Sequence, residues 1–546
     1  MNHSRQGVQD ELQSGVNRSA ESWFEAHPNI SAIVVLIAAF LGRLRAASGT
    51  FLNPDEALHY LLANQSSWRL AYNASLTNAH PPLLTLVLFL WRSLGTSEFV
   101  LRLPSVIAGT AFCWIFFKWL TRILAPVTGF IGLILVSFLP PMITLAAEVR
   151  QYALLLFFLV SAAYLLERAL AENSAAMMLL SAISLCLAIL SHYSAILFAA
   201  AIGLYSLLRV IARRPSTQVR AAWVIGQACA LGLIASLYVS HISKLKGEYA
   251  AGTINGWLAN SFFRPGHDNP LLFVIARTGG VFQYVFGQLA VGDVAFLAFI
   301  AGIVLLWRDN VTPEGSTVTA RQVCALLVLP FVVAAGASIA RMYPYGGTRH
   351  SAFLIMFALA GVSFLLAKLV KQRIERGIAL AILIVAVCTV FGKPHRPYTL
   401  REDQSRTQMV RAMGFIHAQI PQSDLILVDY QTRLLLSYYL CPQQPVPFSA
   451  PVGSQEDFQC NGYQIVAAGP DLYIFTAENF VSRWDRLRQS VSLKSGQSVW
   501  VIQAGWEVNL AQDLQSRRSE LAVINPQAFG RDITIFKLSG ATNLHD

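Results

Sequence analysis

VLRLPSVIAGTAFCWIFFKWLTRILAPVTGFIGLILVSFLPPMITLAAEVRQYALLLFFLVSAAYLLERAL, residues 100–170, holds three apolar runs, Val100–Arg122, Val127–Ala146 and Tyr152–Leu170, parted by short loops. Each is long enough to cross ~30 Å of bilayer hydrocarbon at 1.5 Å per residue. Within lipid the backbone must satisfy its own polar groups, so such runs are helices. The pattern repeats outward, with Pro28–Ala47 before this stretch. After it come Ala176–Ser191, Ser194–Ile211, Ala221–His241, Leu289–Trp307, Gln322–Arg341, His350–Ala367 and Gly377–Gly392, giving eleven expected spans. Only 13% of the 546 residues are charged and 55% are hydrophobic, with mean hydropathy +0.50. A soluble chain is nearer a quarter charged. The net charge of +11 points to topology rather than nucleic acid, because the cations sit mostly in short loops between apolar runs.

Two loops set the register: Arg209, Arg213, Arg214 and Arg220 in one, Lys368, Lys371, Arg373 and Arg376 in the other. With both in the cytoplasm, the N-terminus is inside and everything after Gly392 outside. Arg43 and Arg45, near the outer end of the first run, oppose the rule and are outvoted. No small-residue cleavage site follows that run, which reads as an uncleaved anchor after a cytoplasmic tail, residues 1–27. Two further apolar stretches, Pro81–Leu94 (short) and Leu271–Gln288 (carrying Arg277, Gly279, Gly280, Gln283 and Gln288), are expected as amphipathic helices on the outer surface.

The expected organisation is a transmembrane domain over 28–392 and an extracytoplasmic α/β domain over 393–546. In the latter, β-like runs (Leu425–Val428, Gln464–Ala467, Leu472–Phe475, Val499–Gln503, Ile533–Leu538) alternate with helical stretches, Thr432–Leu440 and Asn479–Leu487 among them. Five of the seven cysteines lie in apolar helices. The other two, Cys441 and Cys460, lie in the outer domain, where oxidation is permitted, and are expected to form a disulfide.

Chemistry gathers in the loops. FLNPDEALHY (51–60) admits two readings. In one, Asn53 caps a helix, Pro54 opens it, and Asp55 and Glu56 complement its dipole. In the other, Asp55 and His59, four apart on one face, hold a metal or relay a proton. NAHPPLL follows, with His80 before two rigidifying prolines. AAEVRQYALLL then sets Glu148, Arg150 and Tyr152 at the end of an apolar run. Those residues either mark where the helix leaves the lipid or put Glu148 in a watery cavity with Asp55.

The acidic pair, HPPL, SEFVLRLPSVIAG and EVRQYALL come in an order that resembles the GT-C glycosyltransferases. The nearest branch is that of the dolichyl-phosphate-mannose–protein mannosyltransferases and their bacterial relatives, including the lipid A aminoarabinose transferase. The ordered match runs from Phe51 to about Leu156. SHYSA (191–195) and YPYGGTRHSAFLIMFALAG (343–361) resemble later segments of bacterial members. The resemblance implies a membrane all-α fold of GT-C type with the soluble α/β domain appended, in a bacterial inner membrane. It implies a polyprenyl-phosphate sugar donor and inverting transfer on the outer, periplasmic face to an acceptor glycan, lipid or protein. It also implies that an acid of the first loop is the base or is associated with a metal. By position that acid is Asp55, with Glu56 beside it and Glu148 as the second acid. A divalent ion, magnesium or manganese, is expected with Asp55 and His59 as ligands. Where many relatives carry a lysine after HPP that contacts the lipid phosphate, this chain has Leu83, Leu84 and Thr85.

The leaving phosphate needs pre-placed cations, which arginine supplies as a bidentate fork. Arg150, Arg349, Arg43 and Arg102 are the outer-side candidates. His80, Tyr152, His192 and Tyr345 join Arg150 and Arg349 as expected substrate or phosphate contacts. His192 and Tyr193 also fit interfacial anchoring, and Tyr345–Gly347 also fits an ordinary turn. Glu56 lies about 100° around the helix from Asp55, so its replacement is expected to be the milder. A lipid-linked glycan polymerase or ligase is the competing reading. A transporter fits less well, since ionisable groups sit at helix ends rather than at mid-membrane.

Overall fold

The computed structural model describes residues 28–245, 256, 258–308, 318–392, 405–442, 456–469, 472–490, 498–516 and 521–539; the expected tail over 1–27 lies outside them. In chain order the helices are α1 (Pro28–Gly49), α2 (Pro54–Ala63), α3 (Trp68–Ser75), α4 (Leu83–Trp91), α5 (Glu98–Ile123), α6 (Pro126–Phe138), α7 (Pro140–Ala147), α8 (Tyr152–Glu172), α9 (Ala175–Ser191) and α10 (Ser194–Arg213). There follow α11 (Thr217–Ser240), α12 (Pro270–Phe286), α13 (Leu289–Arg308), α14 (Ala320–Ile339), α15 (Ile355–Leu369, entered through a 3-10 turn at Arg349–Leu354) and α16 (Ile374–Phe391). The chain divides into two compact units: one comprises Met1–Arg45, Leu103–Ala147 and Gln151–Pro397, the other Ala46–Arg102, Glu148–Arg150 and Tyr398–Asp546.

All eleven expected runs fall on helices, but the count of spans drops. Among the described residues nine helices are long and apolar enough to cross a membrane, and a tenth if α6 and α7, bent by 61°, form one span. The expected span Ala176–Ser191 is α9, a shorter apolar helix of 17 residues, and α4 and α12 are short as well.

The α6/α7 break has a local cause. Pro140 and Pro141 have no N–H to donate to the carbonyls of Val136 and Ser137, four residues back. The guanidinium of Arg43 supplies the missing donors, at 2.9 Å to Val136 O and 3.1 Å to Ser137 O, and also bonds Ala39 O. Arg43 is 1% exposed. It is neither a topology anomaly nor an outer cation, but the cap of a broken helix. Arg209 is corrected likewise. It is buried in an ion pair with Glu167 at 2.8 Å and bonds Gln322, whereas Arg213, Arg214 and Arg220 are exposed, as a basic loop requires.

The second unit carries α17 (Arg406–Gln419), α18 (Tyr430–Tyr439), α19 (Ala477–Ser490), α20 (Leu510–Ser516) and six strands. The strands are β1 (Leu425–Val428), β2 (Glu456–Cys460), β3 (Tyr463–Ala467), β4 (Val499–Ala504), β5 (Ala522–Ala528) and β6 (Ile533–Ser539), in sheet order β2-β3-β1-β4-β6-β5. The central β3, β1 and β4 are parallel and the flanking pairs antiparallel. Four of the five expected runs are strands. Leu472–Phe475 is not: Leu472 and Phe475 are core residues of a loop, with Phe475 N–H donating to Asp429.

Cys441 and Cys460 form the expected disulfide, Cα–Cα 5.7 Å, 19 residues apart. Closing a loop of about 20 residues contributes roughly 3 kcal/mol in the chain-entropy model. A non-reduced peptide map is expected to recover the linked pair. Cys441→Ser with Cys460→Ser should lower the thermal midpoint; free thiols at both positions in protein from intact cells would contradict the assignment.

Candidate active site

Helix α2 begins with a reciprocal capping box. Asn53 Oδ1 accepts the Glu56 N–H at 2.9 Å, and Glu56 Oε2 accepts the Asn53 N–H at 3.0 Å. Pro54 takes the first turn, where its missing N–H costs nothing. This cap orients two neighbouring carboxylates in opposite ways. Glu56 points inward and is fully buried, held by Arg102 Nε at 2.7 Å and Nη2 at 2.7 Å, while its Oε1 also accepts Val149 N–H at 2.8 Å. Arg102 gives its remaining donors to the carbonyls of Ala47, Thr50 and Phe51. Asp55 turns the other way. Its carboxylate remains 18% exposed and meets Arg150 Nη1 at 2.8 Å.

The segment Glu148–Arg150 is thus fastened to α2 twice, through Val149 to Glu56 and through Arg150 to Asp55. Glu148, 6% exposed, stands in that segment. His59, one turn beyond Asp55, is buried and its ring lies 5.8 Å from that of His80. Asp55 is engaged by a cation, and among the described residues no three His, Cys, Asp or Glu side chains converge. Magnesium takes carboxylate and water oxygens rather than imidazole pairs.

Side chains of the C-terminal part complete this setting. Tyr439 Oη accepts Leu52 N–H at 2.8 Å and donates to Glu98 at 3.2 Å, and Tyr438 Oη bonds Thr96 O. Burial pushes both phenols above their ordinary range, with Glu98 adding to it.

The other expected contacts lie in the first unit. Tyr152 packs on His192 at 5.3 Å between ring centroids, and His192 on His350 at 6.4 Å; His192 Nδ1 bonds Ser194 Oγ at 2.8 Å. Tyr345 is fully buried, its hydroxyl 2.6 Å from Thr278 Oγ1. The turn after it runs so close to α12 that a Cβ on Gly347 would stand 2.7 Å from Gly280 O. Arg277 lines the same turn, its Cδ 3.1 Å from where a Gly346 Cβ would be, and Arg349 begins the 3-10 turn three residues on. Arg277, one of the polar groups that make this stretch expensive at membrane depth, is thus set against the glycine turn.

Residues 79–239 match the family model described as dolichyl-phosphate-mannose-protein mannosyltransferase. ArnT from Cupriavidus metallidurans, in a crystal structure bound to undecaprenyl phosphate, superposes with TM-score 0.52 at 12% identity, over 94% of this chain and 98% of that one. The fold is that of the GT-C glycosyltransferases. Its apo form gives TM-score 0.51 at 13% identity, over 93% and 98% of the two chains. A more distant GT-C likeness is AglB, the archaeal oligosaccharyltransferase of Archaeoglobus fulgidus, in complex with an inhibitory peptide and a dolichol-phosphate. Its TM-score is 0.47 at 12% identity, over 88% of this chain and 70% of that one. No curated protein sequence matches the chain. The family-model match covers HPPL, SEFVLRLPSVIAG, EVRQYALL and SHYSA; the acidic pair Asp55–Glu56 and the Tyr343–Gly361 segment lie outside its range.

Proposed function

We propose that the chain is a membrane glycosyltransferase that moves a sugar from a polyprenyl phosphate to an acceptor hydroxyl, with inversion. The observation that carries this reading is Asp55. It is an accessible carboxylate at the first turn of α2, set by a capping box and an arginine, in a chain of GT-C fold. In this mechanism Asp55 takes the proton of the acceptor hydroxyl as that oxygen bonds the anomeric carbon. The bond from that carbon to the phosphate oxygen breaks, and the polyprenyl phosphate leaves with its extra negative charge. Arg150 orients Asp55, and Glu148 supports the same step from the adjoining segment. Glu56 and Arg102 hold the loop and do not react. His80 and Tyr152 with His192 contribute to substrate contact, and Tyr345 keeps the glycine turn in place.

Arg349 and Arg277 flank that turn and are assigned to the leaving phosphate. Arg349→Ala and Arg277→Ala are expected to lower donor use at least tenfold. Lysine at either position should restore little, since an ammonium lacks the bidentate geometry. Full activity in all four variants would send the role elsewhere. The active face is assigned to the periplasmic side of a bacterial inner membrane. The disulfide of the second unit supports this, as such bonds persist in oxidising compartments. A transfer assay in membranes with a panel of polyprenyl-phosphate sugars tests the reading, and turnover of none of them would count against it.

A further inference from the structure

In an open α/β sheet, ligands bind outside the carboxyl ends of the strands, where adjacent parallel strands send their connections in opposite directions. In this sheet that point lies between β1 and β4. From β1 the chain goes by α18 towards β2 and β3; from β4 it goes to β5 and β6 on the other side. The residues at these two strand ends are joined: Gln431 Nε2 donates to Trp506 O at 2.8 Å, Trp506 N–H returns to Gln431 Oε1 at 2.9 Å, and Ala504 N–H bonds Thr432 Oγ1. Gly505 sits between them at φ +118, and a Cβ placed on it would lie 2.6 Å from Pro54 Cγ and 2.7 Å from Gln431 Oε1. Pro54 immediately precedes Asp55. The ligand crevice of the sheet is therefore occupied by the chain's own Pro54.

We infer that the C-terminal sheet is a clamp that fixes the position of Asp55, with Gly505 and Tyr439 as its positioning residues. Gly505 admits the proline ring where any side chain would expel it. Tyr439, at the far end of α18, takes the Leu52 N–H just before the turn, and the ring of Tyr438 packs edge-on against Tyr60 of α2, centroids 5.2 Å apart. The end of β4 and the helix α18 together thus grip α2 at its start and along its length. The inference deepens the proposed function and rests on it only for the consequence in turnover.

Amide hydrogen exchange on the full chain in lipid nanodiscs tests the clamp without any assay. Gly505→Ala and Tyr439→Phe are expected to speed exchange across residues 51–62 several-fold. The control is Gly462→Ala, at a comparable positive φ of +86 in the β2–β3 turn, which should leave that stretch unchanged. Equal acceleration by Gly462→Ala, or none by the first two, overturns the clamp. Transfer kinetics with whichever polyprenyl-phosphate sugar the panel selects add the second arm. Gly505→Ala should lower kcat by about 10–100-fold with donor KM little changed, as misplacement of a reacting group does. An unchanged kcat with accelerated exchange would overturn the link to catalysis. Should Asp55→Asn keep full activity, the proposed chemistry falls while the exchange result still judges the clamp.

Discussion

Asp55→Asn is expected to abolish most turnover while the protein still folds and inserts. Asparagine keeps the size and can still accept from Arg150, but it cannot take a proton from the acceptor hydroxyl. A positioned base typically contributes about 10²–10⁴-fold, equivalent to roughly 3–5 kcal/mol of barrier. The structural change is smaller. Trading a charged hydrogen-bond partner for a neutral one on a partly exposed side chain costs about 1–2 kcal/mol. Rate and stability should therefore part company. Transfer assays and thermal denaturation on the same purified sample measure both, and a well-folded Asp55→Asn protein with normal turnover sinks the mechanism. Glu148→Gln is expected to be severe in turnover also.

The second large effect is expected at the neighbouring carboxylate and is of the opposite kind. Glu56 Oε1 accepts from Arg102 Nε and Val149 N–H, and Oε2 accepts from Asn53 N–H and Arg102 Nη2. In Glu56→Gln, whichever way the amide turns, its NH₂ faces two donors in a site without water access. The expectation of a mild effect, drawn from the helical angle between the two acids, gives way to this geometry. Arg102→Met leaves Glu56 buried and charged, with three loop carbonyls short of their donor. Breaking such a pair costs about 3–5 kcal/mol. Both variants should lose yield and melt many degrees lower, with turnover falling in proportion to folded protein. A Glu56→Gln protein of native stability that fails only in catalysis would return Glu56 to the reaction.

The spans were legible because lipid permits few alternatives to an apolar helix, so hydropathy alone located them. Their number was less so. The sequence shows Pro140 and Pro141 in plain view, but an arginine 94 residues upstream makes the break tolerable, and no local pattern announces such a partner. The same limit explains Arg43, Arg102 and Arg209. Each was read as a surface cation, since composition does not tell which guanidinium the fold has surrounded with acceptors. In the second unit β1, β3, β4 and β6 are apolar and were visible. β2 (EDFQC) lies at the sheet edge, and β5, at the other edge, reads AVINPQA, is largely exposed and is interrupted by a bulge between Ile524 and Gln527. Neither carries the alternation that marks a strand. The Asn53-x-x-Glu56 spacing did carry the capping-box signature, and reading it fully would have separated the structural acid from the exposed one.

The cap that Arg43 places on the α6/α7 break has a consequence for how the chain is made. During synthesis α1 emerges well before Val136 and Ser137 exist, so in that interval its guanidinium lacks two of its three carbonyl partners. An arginine at the centre of a lone spanning helix costs about 2.5–3.5 kcal/mol on insertion scales; nearer the end, where Arg43 lies, the cost is smaller and the side chain lowers it by reaching for the interface. The anchor therefore enters the bilayer shallow or tilted, and settles only when the proline break arrives to receive it. Nascent chains arrested before residue 130 should leave a cysteine placed beside Arg43 open to an aqueous thiol reagent, and chains arrested after residue 190 should shield it. Equal labelling at both lengths would mean that the first span seats itself unaided.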